Sequence, residues 1–356
     1  MEMGAIRTRY EGWSRWPALA LIGALLALLA AACWSPSNAP APRVRTSAAQ
    51  HSDLQLYRDI IAGVSAGGDY YEVAADELRK GGYPLKPFFT FRLPTHAIAY
   101  ATFGEPAMIV VVWLLCAGLI IVWWQRLKPL LPLPLLAAAM ILIAGGLGGM
   151  MQPMTGLFHE SWAALLLALM IGIYRPERAW PAIIAGGAAL MIRELALPMI
   201  LAMGGLALSE KRWREAAGWA AVVAIFATYM MLHAHWVSEV VRPGDPTSPG
   251  WSRMLGPQFA LKSIAKVTFG IRLPEALAAG LLILSLFGWI SIRCRWALSA
   301  ALLLAGYAAM VALFARRDTF YWAMLAAPLS FAGLALLPKV FADLAKAVRQ
   351  TPYQAA

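Results

Sequence analysis

Apolar residues run along this chain in long blocks, with the polar residues collected between them. The first block extends from about Trp16 to Trp34 and follows Arg7, Arg9 and Arg15. Further blocks cover residues 106–124, 130–149, 161–174, 179–208, 216–236, 275–292, 297–314 and 320–337. Most approach the ~20 residues an α-helix needs to cross a bilayer. Basic clusters punctuate them: Arg126 and Lys128, Arg175 and Arg178, Lys211, Arg212 and Arg214, Arg293 and Arg295, then Lys339, Lys346 and Arg349. Placing those clusters on the cytoplasmic side threads the chain through about ten membrane segments, with both termini cytoplasmic. The 179–208 block contributes a pair. It carries Arg193-Glu194 and then Pro198, with basic groups on both flanks, so it is expected to go out and return as short helices that turn near Arg193-Glu194. Legs of about 14 residues do not cross fully; they are tolerated where protein or a cavity covers the turn.

Two polar loops fall on the outer side. In the first, residues 35–104, a Pro/Ser/Ala linker (Ser35 to Arg45) leads to Ser52-Asp53-Leu54-Gln55, which reads as a capping box. Tyr57, Ile60, Ile61 and Val64 then repeat at helical spacing. Gly67-Gly68 breaks that helix. A second, about 69–80, has Tyr71, Ala74, Ala75 and Leu78 on one face, Arg79 and Lys80 in its last turn, and Gly81-Gly82 after it. Both helices are expected to lie on the membrane surface. The second loop, residues 237–274, holds a short basic helix with Lys262 and Lys266. The expected fold is an all-α polytopic membrane protein, one transmembrane domain over residues 1–356.

Composition agrees. The 356 residues are 60% hydrophobic and 14% charged, against about 25% charged in soluble domains. The net charge of +11 would suggest nucleic acid in a soluble protein; here cytoplasmic loops account for it, and no nucleic-acid partner is implied. Cys33, Cys116 and Cys294 form no CxxC, so neither a disulfide framework nor a zinc site is supported. Ala30-Ala31-Ala32-Cys33 hints at lipoprotein cleavage but lacks the usual Leu. The first block is long enough to span and is expected to be retained.

The outer polar groups are Asp69 with Tyr70 and Tyr71, His159-Glu160, Arg193-Glu194, His233 and His235, and Arg316-Arg317-Asp318. Ionisable groups at span ends are costly and point to function. Acids and arginines on one side suggest an anion-handling pocket. Each group also has a plainer reading. Asp69, three before Glu72, is a good N-cap; His159-Glu160 is a polar helix end; Arg193-Glu194 is an ion pair; Arg316-Arg317-Asp318 is a loop. His233 and His235 diverge around a helix and make a poor metal pair. There is no P-loop and no GxGxxG in strand–helix context. No cofactor is implied, and a divalent metal has no support.

The run Asp69-Tyr70-Tyr71 … Ala74-Ala75 … Leu78 … Gly81-Gly82-Tyr83-Pro84 resembles the first outer loop of GT-C-type glycosyltransferases, with the bacterial polyprenyl-phosphate mannosyltransferases the nearest pattern. Gly156-Leu157-Phe158-His159-Glu160-Ser161-Trp162 sits where that family often has a Gly-Gln-Val-Asn-like segment. Met191-Ile192-Arg193-Glu194-Leu195-Ala196-Leu197-Pro198 is similar to its Ile-Lys-x-x-Pro segment, with Arg for Lys and the Pro two residues later. The resemblance covers residues 60–215. It implies an inner-membrane enzyme that moves a sugar, with inversion, from a polyprenyl-phosphate donor to a glycan or glycolipid acceptor on the periplasmic side. By position, Asp69 would be the general base and Arg193 a donor-phosphate contact. Arg316 and Arg317 are further candidates to hold the phosphate, and Tyr70, Tyr71, His159, Glu160, Glu194 and His233 to line the substrate site. The alternatives are a transporter or flippase for a lipid-linked or anionic solute, and a non-catalytic membrane scaffold.

Overall fold

The computed structural model describes residues 6–34 and 53–349; the linker and Ser52 of the expected capping box lie outside the described residues. The described chain is a helical membrane protein. Its helices are α1 Arg15–Trp34, α2 Asp53–Ser65, α3 Tyr70–Lys80, α4 Pro94–Phe103, α5 Glu105–Leu127, α6 Leu133–Leu147 and α7 His159–Ile173. They continue with α8 Trp180–Ile192, α9 Leu197–Ser209, α10 Trp213–Val240, α11 Gly256–Lys266, α12 Glu275–Ser291, α13 Arg295–Phe314 and α14 Leu337–Arg349. Among the described residues, five stretches are long and apolar enough to cross a membrane, and five shorter apolar helices accompany them.

The last expected span falls within one of these five stretches, Arg317–Arg349, but takes another form. Residues 320–337 do not form one α-helix. Arg317–Leu329 and Ala332–Leu336 are 3-10 segments, followed by the amphipathic α14. Pro328 and Gly333 interrupt the stretch, and almost all of it is buried within its own unit. An apolar run buried on every side has the composition of a lipid-facing one, so hydropathy does not separate them. The first polar loop also gains a third helix, α4, opened by Pro94 at its start.

The described residues divide into two compact units. One falls within Met1–Pro42, Gly118–Gly149 and Arg253–Ala356, the other within Arg43–Ala117 and Met150–Ser252. In the first unit, α12 packs on the Ala332–Leu336 segment through glycines. A Cβ on Gly333 would run into the Ser285 carbonyl, and one on Gly288 into the Gly333 carbonyl. The Gly333 N–H donates to Ser285 Oγ at 3.0 Å. Such backbone approach is the usual means of tight helix packing in membranes.

In the second unit, α7 and α8 form an extended antiparallel pair, α10 packs on α8 and α9, and α2, α3 and α4 assemble beside them. Their shared core includes Leu56, Ile60, Tyr70, Ala74, Ala75 and Leu78, with Val237 from α10. The amphipathic faces read from the sequence are therefore used against protein. On α3 it is Tyr70 that is buried, with Tyr71 half-buried beside it.

Gly333→Val is expected to cost about 3 kcal/mol by overpacking, while Gly306→Ala, in the middle of α13 where a Cβ meets nothing, is expected to stabilise by about 0.5–1 kcal/mol. Thermal unfolding of the two purified variants in detergent checks this.

Candidate functional site

The best-defined polar cluster in the second unit starts from a backbone carbonyl. Tyr100 Oη (2.7 Å), Trp162 Nε1 (2.8 Å) and His96 Nε2 (3.1 Å) all donate to the carbonyl oxygen of Gly156. An oxygen accepting from His96 Nε2 requires the proton on that nitrogen. Burial holds the His96 pKa down to about 4, with the Gly156 bond only partly opposing it, so the ring is neutral at pH 7. Three donors on one carbonyl pin the chain just before α7. Gly156 suits that position, because a Cβ would meet the Tyr100 hydroxyl at 2.9 Å. Ser161 Oγ closes the first turn of α7 by donating to the Thr155 carbonyl at 2.7 Å.

This turn delivers His159 and Glu160 inward, both buried. The His159 ring lies 4.2 Å from that of His96 and 5.1 Å from that of Tyr57, centroid to centroid. Neither of its nitrogens has a hydrogen-bond partner among the described residues. Glu160 meets Arg193, Nη2 to Oε1 at 2.8 Å, with both side chains at 1% exposure or less.

Arg193 stands where α8 ends. Its backbone is extended (φ −145°, ψ 115°) and its N–H still donates to the Ala189 carbonyl. That single extended residue separates α8 from the 3-10 turn Glu194–Ala196 and from α9, as expected from the Arg-Glu and Pro in the apolar block. A second bond joins Arg193 Nη1 to Glu194, whose side chain is 23% exposed. The end of α8 is held from outside as well. Thr95 Oγ1 donates to the Met191 carbonyl at 2.8 Å, leaving the Tyr229 hydroxyl to donate to Thr95, also at 2.8 Å.

The Arg193 guanidinium thus stands between two carboxylates, with its Nε unpartnered among the described residues. Unpaired buried polar groups cost about 1–3 kcal/mol each, and in membrane helices they mark function by default. Arg193 as it stands offers little net positive charge to an anion.

Asp69 lies at the N-cap of α3. Its Oδ1 accepts from the N–H groups of Tyr71 (2.8 Å) and Glu72 (3.2 Å). The carboxylate is exposed, and Oδ2 has no hydrogen-bond partner among the described residues. The Tyr70 hydroxyl donates to the Arg92 carbonyl at 2.7 Å. The Tyr71 hydroxyl meets His233 Nδ1 at 3.2 Å. Burial first, then Tyr229 and Asp69, pushes the Tyr71 hydroxyl up to about 12, so it remains protonated. His233 is buried and His235 exposed, as their spacing on one helix requires. No group of three or more His, Cys, Asp or Glu among the described residues is arranged to hold a metal.

A clamp sets the other end of α3. Arg79 grips Asp245 with two bonds, Nε to Oδ1 at 2.9 Å and Nη2 to Oδ2 at 2.8 Å, and also donates to the Val240 carbonyl. Fork-to-fork pairs of this kind fix orientation as well as distance.

The second unit therefore gathers His159, Glu160, Arg193 and Glu194 in one cluster, and Tyr71 with His233 in another contact. Arg316 and Arg317 belong to the first unit, where Arg316 pairs with Asp318 at 3.1 Å; the site described here contains neither. Sequence reasoning missed Tyr57, Arg92, Thr95, His96 and Tyr229. Arg92 Nε donates to the Tyr57 hydroxyl at 3.2 Å. The one available signal was the Pro94-Thr95-His96 run at the start of an unpredicted helix. No protein-family model, curated protein or solved structure matches the chain.

Arg193→Met strands the buried Glu160 carboxylate and is expected to cost about 3–5 kcal/mol, with much of the loss recovered in Glu160→Met/Arg193→Met; a double-mutant cycle on thermal unfolding measures it. The Asp245 carboxyl is held well below the usual carboxylate range, by Arg79 first and then by the Arg242 N–H. The clamp is therefore complete above the unfolded aspartate value of ~4 and is lost as pH falls through the lowered native value. Hydrogen exchange across residues 240–248 is expected to accelerate on that descent, and at neutral pH in Asp245→Asn.

Proposed function

We propose that this protein is a GT-C-type glycosyltransferase that moves a hexose from a polyprenyl-phosphate donor to a lipid-linked or glycan acceptor at the periplasmic face of the inner membrane. Mannose is the sugar the family resemblance suggests. The observation that carries the reading is the state of Asp69. The cap hydrogen bonds to Oδ1 hold the carboxylate in place, and Oδ2 is open to solvent. A general base needs both, a fixed position and a free oxygen within reach of the proton it takes.

In this reading the acceptor hydroxyl oxygen attacks the anomeric carbon as its proton passes to Asp69 Oδ2. The bond from that carbon to the phosphate oxygen breaks on the opposite face, inverting the centre, and its electrons leave with the polyprenyl phosphate. The departing anion needs positive charge more than it needs an acid. It reaches Arg193 by displacing Glu194, the more exposed of the two carboxylates on that guanidinium. Glu160 stays behind and keeps the arginine aimed. Tyr71, His159 and His233 supply aromatic and polar wall for a sugar.

Against a transporter stands the lack of an evident internal repeat along the sequence, the mark of inverted-repeat carriers.

Purified protein incubated with a polyprenyl-phosphate sugar and membrane glycolipid tests the reading. Asp69→Asn keeps a capping side chain but takes no proton. It is expected to lower transfer at least about 100-fold with an unchanged unfolding temperature. Full transfer by that variant removes the base and with it this mechanism.

A further inference from the structure

At one end of the first unit the N-terminal segment, the turn between α12 and α13, and α14 come together. Thr8 bridges Ile292 and donates to Asp343 at 2.8 Å. α1 leaves that end at Arg15, and α12 reaches it at Ser291. The opposite end is marked by the last turn of α1 and the first turn of α12, where Cys33 Sγ lies 3.5 Å from the Ala276 carbonyl. α11 packs there against α12 and α13.

A cavity of about 260 Å3 opens at that opposite end, walled by Ala32 of α1, Ala279 of α12 and one stripe of α11. The stripe is Gln258, Leu261, Lys262, Ala265 and Lys266, spaced as i, i+3, i+4, i+7 and i+8 on one side of the helix. The adjoining face, with Phe259, Ala260 and Ile264, is buried in the unit. Most of the lining is apolar, yet two lysines belong to it. Lys262 Nζ is 3.0 Å from Glu275 Oε2; the lysine side chain is 12% exposed and the carboxylate 58%. Lys266 Nζ lies 4.4 Å from the centre of the Phe320 ring.

The surrounding charge is net positive. Arg253, Arg272, Arg316 and Arg317 belong to the same end, which Met254 fixes by donating to the Leu313 carbonyl at the close of α13. The only acids in this part of the sequence are Glu275 and Asp318.

We propose that this cavity binds an anionic glycerophospholipid, its phosphate between Lys262 and Lys266 and its upper methylenes along Leu261, Ile271 and Ala279. Free phosphate would make no use of the apolar wall, and an uncharged lipid would bring no anion to the lysines. Ligand pockets that enclose a whole small molecule run to about 300–1,000 Å3, so this volume takes a head group and leaves the tails to the surrounding bilayer. Glu275 is the group the phosphate displaces from Lys262, and its exposure lets it swing away. The inference does not rest on the sugar-transfer reading.

The test is lipid binding to the purified full-length protein in detergent, with native mass spectrometry as the readout. The probes are dioleoyl phosphatidylglycerol, dioleoyl phosphatidylcholine, inorganic phosphate and decaprenyl phosphate. Phosphatidylglycerol is expected to bind at least about tenfold tighter than phosphatidylcholine. Lys262→Gln/Lys266→Gln should erase that preference, at about fivefold per lysine, without changing phosphatidylcholine binding. Glu275→Gln should tighten phosphatidylglycerol severalfold, an outcome that loss of fold does not imitate. Equal binding of the two glycerolipids, an unchanged preference in the lysine variant, or competition by inorganic phosphate alone overturns the proposal. Capture of decaprenyl phosphate in place of phosphatidylglycerol overturns it too, in favour of a carrier-lipid site.

Discussion

A buried guanidinium held by two carboxylates governs the second unit. Arg193 and Glu160 are both sealed from solvent, at 1% and 0% exposure. Taking either charge out of water costs several kcal/mol, and only close approach of the opposite charge offsets it. That requirement makes the ends of α7 and α8 meet. It also explains why α8 stops where it does. One extended residue at Arg193 aims the side chain inward while the chain turns into α9.

The rest of that unit can be understood as support for the contact. Three donors converge on the Gly156 carbonyl and hold the approach to α7. Thr95 and Tyr229 hold the end of α8. The cluster of α2, α3 and α4 sits on the same framework, joined through Tyr57 on the His159 ring and Tyr71 on His233. A carboxylate at the start of α3 thereby gains a fixed position from its own cap while its second oxygen stays open.

Much of this was legible from residue pattern. Gly67-Gly68 and Gly81-Gly82 bracket α3 as helix-stop signals do, and the Arg-Glu-…-Pro interruption split an apolar block into α8 and α9. Other features were not. His96 and Thr95 fall in a stretch with no amphipathic signal, and the hydrogen bonds that give them roles reach 60 and 96 residues along the chain. Glu160 read equally well as a solvated helix end or a buried partner, because the identity of its neighbour depends on how α7 and α8 pair.

Composition and periodicity alone determined that this is a helical membrane protein, where most helices start and stop, and that its acids and arginines cluster at helix ends. Those properties are local: they follow from the cost of placing backbone and charge in lipid. Tertiary structure decided which charges meet. It paired Arg193 with Glu160, folded the 317–336 stretch of the first unit as buried 3-10 segments where a membrane helix over 320–337 was expected, and left Lys262 and Lys266 lining a cavity. Burial against protein and burial in lipid select the same residues, so hydropathy cannot tell them apart; only the packed neighbours do.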